Sequence, residues 1–451
     1  MTLWIIKKIL IETINYKYTP SFLTVMLNPK EFVKIGKWPN GEYFNSLYLA
    51  GEKPQLHKIL GKVIGQENLI AIDDNIFYVE EKVEIFKNLV KKEPEKFLQK
   101  FNALAIDQME KLKEYVESNS QKDFTKLTNK ELSKEKTNFE DQFLLMVPYL
   151  NPLLYVADSI EKFIIEKIPN LKFDEIRPSK KISAERLNDI LLEGKIPMEK
   201  VLEEFGWYTM ILLRGKPLTM DELEEIKKMA THSKPIKISE NPLIKHLQDL
   251  MWIKFERIDT MNIAFYKMMN LYKEIFKRIN LDIKYWDVFL HEELTIALET
   301  GEIPKNLDSR FEHRGIIMEN KVITHLTIDE CKAYHELFIP KPKITNIIKG
   351  RPACKGKVTG KVKVVKEISE ISKVEEGDIL VAIETFVQFE PYMHKTAAMI
   401  VEVGGLLTHT AIFAREFNIP TILGVEQATE LFEDDELVEV DADKGIVKKL
   451  K

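Results

Sequence analysis

His409 is the residue of this chain best placed to do covalent chemistry. It follows Gly404-Gly405 and lies between Thr408 and Thr410, after the apolar run Ala398 to Val403. That run reads as a strand, and the segment from His409 to about Phe417 reads as a helix that stops before Pro420. A helix start carries backbone N–H groups without intrahelical partners and the positive end of the helix dipole, so it suits a phosphate. The same dipole disfavours imidazolium, which keeps His409 neutral and nucleophilic near pH 7. Gly404 and Gly405 let the backbone approach phosphoryl oxygens, and Thr408 and Thr410 offer hydroxyls. Arg415 stands six residues further on, about 240° around a helix, so it is expected to support the domain rather than face the phosphate.

The run Gly-Gly-x-Leu-Thr-His-x-Ala-Ile-x-Ala-Arg-Glu-x-x-Ile-Pro around His409 resembles the phosphohistidine (mobile, or swivelling) domain of the PEP-utilising enzymes. That group includes PEP synthase, pyruvate phosphate dikinase, rifampin phosphotransferase and phenylphosphate synthase. Two further segments agree. Gly350 to Val362 is similar to the opening of that domain, and Glu376 to Val381 with Glu384-Thr385 is similar to its middle strand and following loop. The resemblance covers about residues 350–451. It implies a β/α swivelling domain, a phosphoryl group carried on His409, and Arg415 and Glu416 as supporting residues. Leu407 stands where the dikinases have Thr, a variant that looks more like the rifampin phosphotransferase and phenylphosphate synthase branch.

The elements that must position this segment form a multidomain α+β chain, mainly helical before the C-terminal domain. The 451 residues suffice for two or three domains. Residues 1–90 read as a small α/β region, with two short strands around Asp73-Asp74-Asn75. Residues 91–340 read as helical. Phe97, Phe101, Leu104, Ala105, Met109, Leu112 and Tyr115 mark one helix face, and Leu144 to Ile168 is a second helical stretch broken near Pro148 and Pro152. Ser183 is expected to cap one helix, and Thr219 to Glu222 to open another with a capping box. The longest signal runs from Pro242 to about Asn280 and predicts one helix of roughly 55–60 Å. Residues 341–349 form a Pro-containing linker, which suits a domain that travels. Lys284 to Leu294 and Glu204-Phe205-Gly206-Trp207 are similar to short segments in the helical domains of rifampin phosphotransferase-like proteins.

Composition narrows the function. Net charge is −5, from 66 Lys+Arg against 71 Asp+Glu, a mild acidity that gives no hint of nucleic-acid binding. The two cysteines, Cys331 and Cys354, have no metal-ligand spacing. The N-terminal run Met1 to Glu12 is interrupted by Lys7, Lys8 and Glu12, so an amphipathic element is expected rather than a signal peptide or span, and the cytoplasm is the expected location. His291, Glu292 and Glu293 read as a solvated helix turn, His394 as a surface or boundary residue, and Arg257 as a structural ion pair with an anion-binding alternative. Arg310, His313 and Arg314 form a small basic group with the same two readings.

The resemblance also frames what is missing. Its members charge the histidine with an ATP-grasp domain or with PEP in a TIM barrel, and no stretch here carries the repeats or Gly-rich loop these need. The expected phosphoryl source is a separate ATP-grasp subunit that brings ATP and Mg2+, with no metal site in this chain. The expected acceptor is a small molecule held by the helical region, and a homo-oligomer is open. The alternatives are a non-catalytic scaffold or regulatory subunit with a vestigial carrier domain, and a complete enzyme with another phosphodonor.

Overall fold

The computed structural model describes residues 29–37, 69–73, 75–149, 152–169, 171, 176–210, 216–233, 235–312, 314–319, 322–339, 346–366, 368–385, 389–405 and 408–450. The expectations for the N-terminal run, His313 and most of the linker lie outside these residues.

Strands β1 (Phe32–Lys37), β2 (Leu69–Ile72) and β3 (Asn75–Val79) open the described chain. The β2–β3 hairpin forms where the alternation predicts it, and Asp73 takes the left-handed conformation (φ 43°) in its turn. Among the described residues ten α-helices follow: α1 (Glu80–Lys92), α2 (Pro94–Asn119), α3 (Asn129–Leu144), α4 (Pro152–Lys167), α5 (Ser183–Glu193), α6 (Met198–Phe205), α7 (Met220–Met229), α8 (Pro242–Lys267), α9 (Met269–Arg278) and α10 (His291–Thr300). The chain then returns to the first sheet with β4 (Gly315–Glu319) and β5 (Val322–His325), and α11 (Ile328–Phe338) follows.

The first sheet has the order β1-β3-β2-β4-β5 and is antiparallel throughout. It therefore joins strands from both sides of the 1–90 boundary drawn on sequence. Sheet pairing links residues about 240 positions apart in the chain, and local periodicity carries no record of such a pairing. One face of this sheet (Leu69, Ala71, Ile76, Tyr78, Ile316, Met318) merges with the helical core. The other (Ile70, Ile72, Phe77, Ile317) packs on α11 through Cys331, Tyr334 and Phe338.

At the centre of the body α8 lies along α2. Asn102 donates to the carbonyl of His246, Lys113 pairs with Glu256, and Lys267 pairs with Glu117, so the two helices run the same way. The predicted Pro242–Asn280 helix is two helices. Met268 breaks it with near-bridge dihedrals (φ −86°, ψ 4°). No proline or glycine causes the break. The apolar periodicity survives it because both halves face one core, where Tyr272 of α9 stacks on Trp286 at 4.3 Å. Asn241 caps α8 through the amides of Leu243 and Ile244. The Thr219–Glu222 capping box is present, with both reciprocal hydrogen bonds. Ser183 is the first helical residue of α5 rather than its cap, because its hydroxyl donates to buried Asp259 of α8.

The C-terminal unit comprises β6 (Ile347–Lys349), β7 (Arg351–Cys354), β8 (Lys357–Val365), β9 (Ile379–Ala382), α12 (Glu390–Met393), β10 (Ala398–Val401), α13 (His409–Phe417), β11 (Thr421–Leu423), α14 (Ala428–Leu431), β12 (Leu437–Asp441) and β13 (Ile446–Lys449). Its sheet runs β6-β13-β12-β8-β9-β10-β11-β7, with β8 through β11 parallel. Strands covered on both faces read as continuous apolar runs. Ile379, Val381, Ala398 and Ile400 enter one core, which also holds Ala428 and Phe432. Leu380, Ala382, Met399 and Val401 enter the other, with Ala411, Phe413 and Ala414 of α13. The described residues form an α+β structure with one antiparallel and one mixed sheet.

Candidate functional site

The site forms at the carboxyl ends of β9 and β10, where ligands of open α/β sheets characteristically bind. The two exits are zipped together: Glu402 N–H donates to Ala382 (3.1 Å) and Val403 N–H to Ile383 (3.0 Å). Glu402 was not foreseen as part of this frame. Its buried carboxylate accepts from the Thr429 amide at 2.8 Å and from the Thr429 hydroxyl, tying the strand end to α14. A carboxylate at the end of an apolar strand was the available signal.

Gly404 has φ 143°, which a side chain rarely adopts. A Cβ at Gly405 would meet nothing within 4 Å, so open space lies over that glycine. Thr408 is the N-cap of α13. Its Oγ1 accepts from Ala411 N–H (3.4 Å) and donates to the Gly405 carbonyl (2.8 Å), while its amide also reaches that carbonyl (3.0 Å). Among the described residues, none accepts from the amides of His409 and Thr410. These two amides, at the positive end of α13, are donors suited to an anion.

His409 is the first residue of α13, as the sequence predicts. Neither its side chain nor that of Glu416 is among the described groups. Thr410 departs from its expected role. It is 1% exposed, and its hydroxyl lies 2.6 Å from that of buried Thr385, so it fastens α13 to the loop after β9. Thr408 likewise spends its hydroxyl on the turn. Arg415 acts electrostatically on Cys354 of β7, within the domain and away from the helix start. Burial nevertheless raises the Cys354 thiol pKa overall.

Other candidates resolve into structure. His394 is exposed and meets the rings of Phe413 and Phe417 edge-on. Of the His291–Glu293 turn, Glu292 is exposed, while half-buried Glu293 takes a two-pronged pair from buried Arg310, at 2.6 and 2.9 Å. Burial pushes the His291 imidazole down to about 3, with the Lys136 ammonium adding repulsion, so it stays neutral near pH 7. Arg314 pairs with Asp287 at 3.0 Å. Arg257, 6% exposed, donates to the Tyr149 carbonyl at 2.6 Å.

The C-terminal unit meets the helical body beside this site. Ile412 of α13 packs against the helical core. Arg351 of β7 pairs with buried Glu161 of α4. Lys254, at the middle of α8, lies within Coulombic reach of Glu161 and of Glu384, the neighbour of Thr385.

Among the described residues, no three or more His, Cys, Asp or Glu side chains gather as a metal site. No helix among them is long and apolar enough to cross a membrane.

Comparison with known proteins places this geometry. Residues 374–445 match the family model described as PEP-utilising enzyme, mobile domain. The chain is 34% identical over 168 residues to a probable phosphoenolpyruvate synthase of Archaeoglobus fulgidus, a match covering 36% of this chain and 22% of that protein. It is 41% identical over 133 residues to the phosphoenolpyruvate synthase of Pyrococcus furiosus, covering 30% of this chain and 16% of that one. The chain thus spans less than a quarter of the length of these curated relatives. Among solved structures, the holo form of Thermococcus kodakaraensis aconitase X is 22% identical, with a TM-score of 0.20. That match covers 24% of this chain and 100% of the other, and a score at that level carries no argument about fold.

Proposed function

We propose that this chain, whose C-terminal unit carries the mobile domain of the PEP-utilising enzymes, is a phosphotransferase component that shuttles a phosphoryl group on His409. The observation that supports this reading most is the start of α13. Two amides there, at the first turn of the helix, have no acceptor among the described residues, and open space lies over Gly405. In the first half-reaction the imidazole Nε2 lone pair attacks phosphorus. The N–P bond forms, the P–O bond of the donor breaks, and its electron pair leaves with the nucleotide product. In the second half-reaction an acceptor oxygen attacks. The N–P electrons return to the imidazole, and the acceptor's proton passes to solvent. The backbone donors steady the phosphoryl oxygens in both directions. A separate ATP-grasp subunit supplies the nucleotide with its Mg2+, and the helical body holds a small-molecule acceptor.

The test is incubation of the chain with labelled ATP and a lysate from its source. An acid-labile, base-stable label that disappears in His409→Ala is expected. Label that survives the substitution sinks the assignment. A second reading, a scaffold with a vestigial carrier, draws on Thr408 and Thr410 using their hydroxyls within the fold. Under it the wild-type chain takes up no label.

A further inference from the structure

We infer that the cleft between α2, α5, α6, α8 and α9 is a binding site for a planar aromatic carboxylate, which lays its ring against Tyr266 and sets its carboxylate on the unused edge of Arg186. This site lies outside the carrier reading and does not depend on it.

The cleft has a volume of about 720 Å³, within the roughly 300–1,000 Å³ of small-molecule sites. One wall is apolar. Tyr266 and Ile263 of α8 and Met269 of α9 are half-buried there and offer ring, branched and thioether surface. Buried Phe205 and Trp207 back this wall, with their rings stacked at 6.3 Å and 25°. Gly206 between them lets Tyr266 lie where it does, since a Cβ at that position would come within 2.1 Å of the Tyr266 Oη. The cleft thus gives the Glu204-Phe205-Gly206-Trp207 run a use.

The polar groups of the cleft are the ones the fold leaves unspent. Ser120, the C-cap of α2, is only 8% exposed and lines the cleft, yet its Oγ has no hydrogen-bond partner. A buried hydroxyl in that state costs stability, and a ligand oxygen offsets the cost. Arg186 of α5 uses Nη1 alone, on Glu256 at 3.0 Å and on the Lys181 carbonyl at 2.9 Å. Its Nε and Nη2 have no acceptor among the described residues. That edge takes a carboxylate through two parallel N–H bonds. Glu256 does not compete for it, because its other oxygen is held by Lys113 at 3.0 Å.

Charge points the same way. The described lining holds five cations and three carboxylates, which favours an anion. Lys267 is paired with Glu117 and Lys200 with Glu203, while exposed Lys273 has no partner among the described residues. Burial, and next the Glu203 charge, raise the Tyr266 phenol pKa, so that hydroxyl keeps its proton and donates.

Calorimetric titration of the full chain tests this with three probes: naphthoate, its neutral amide naphthamide, and decalin carboxylate, the saturated acid. Naphthoate should bind severalfold more tightly than either of the others. Arg186→Lys keeps the charge on Glu256 and loses the fork, so it should weaken naphthoate severalfold and leave naphthamide unchanged. Naphthoate no tighter than naphthamide or decalin carboxylate, or equally tight in Arg186→Lys, overturns the inference. Melting temperature gives a second readout. Ser120→Ala should raise that of the empty chain, by removing the orphan hydroxyl, and shrink the upward shift that naphthoate produces. A shift as large as in wild type overturns the site. His409→Ala should bind naphthoate as wild type does, even where no label is found on His409. Loss of binding in that variant would place the compound at the carrier and overturn the assignment to this cleft.

Discussion

The helical body and the C-terminal unit handle charge in opposite ways. The body buries Lys136, Glu140, Glu161, Glu185, Glu256, Arg257, Asp259 and Arg310, most of them in mutual pairs or hydrogen bonds. In the C-terminal unit the central strands β9 and β10 are apolar on both faces, and buried Asp378 and Glu402 sit at strand margins, accepting backbone N–H groups. One unit keeps ionisable side chains inside, where their energy depends on partners. The other holds its buried carboxylates on backbone donors at strand margins. Under the proposed function that contrast suits a receiving body and a carried domain, since main-chain donors keep their geometry wherever the domain sits.

The contrast can be broken by substitution, read through hydrogen exchange resolved by peptide so that each unit reports separately. The largest effect is expected from Lys136→Ala. Lys136 is fully buried with Glu140 at 2.7 Å, so its removal strands a carboxylate at a cost of about 3–5 kcal/mol. Protection should fall across α3 and α10 and stay unchanged in β8 to β11. The paired change Lys136→Met with Glu140→Leu should recover most of the loss, and a double variant as weak as the single one would contradict the account.

Asp259 sharpens the comparison through pH. Burial, and next the Glu256 charge, raise its carboxyl from 3.8 to about 7. The fold thus favours the protonated form. Its contribution is complete below about pH 4 and is lost as pH rises through about 7. The melting temperature of wild type minus that of Asp259→Asn should therefore decline between these limits. A flat difference would show that Asp259 ionises normally.

Gly404→Ala forces a side chain onto φ 143° and is expected to cost about 1–3 kcal/mol, confined to the C-terminal unit. Wild-type exchange rates around β10 in that variant would show that the turn relaxes freely. The smallest effect is expected from Ile400→Val, about 0.5–1.5 kcal/mol for one methylene lost from a closed apolar core. A larger penalty there than for Lys136→Ala would reverse the contrast between the units.

The strand, glycine pair and helix start around His409 were legible in sequence because they are local: apolar run, turn residues and helix are contiguous. The Thr219–Glu222 box and the β2–β3 hairpin were legible for the same reason. Three features needed the tertiary structure. Thr410 looks on sequence like a phosphate ligand, yet its partner Thr385 is 25 residues away and takes its hydroxyl. The β2–β4 pairing joins distant strands, and the break at Met268 falls where the chain has no proline or glycine to announce it. The Arg351–Glu161 pair joins β7 to α4 across 190 positions of the chain, a contact that no local pattern records. Short-range propensity and spacing are written along the chain. Burial, and with it the energy of every interior charge, depends on which remote segments come to surround it.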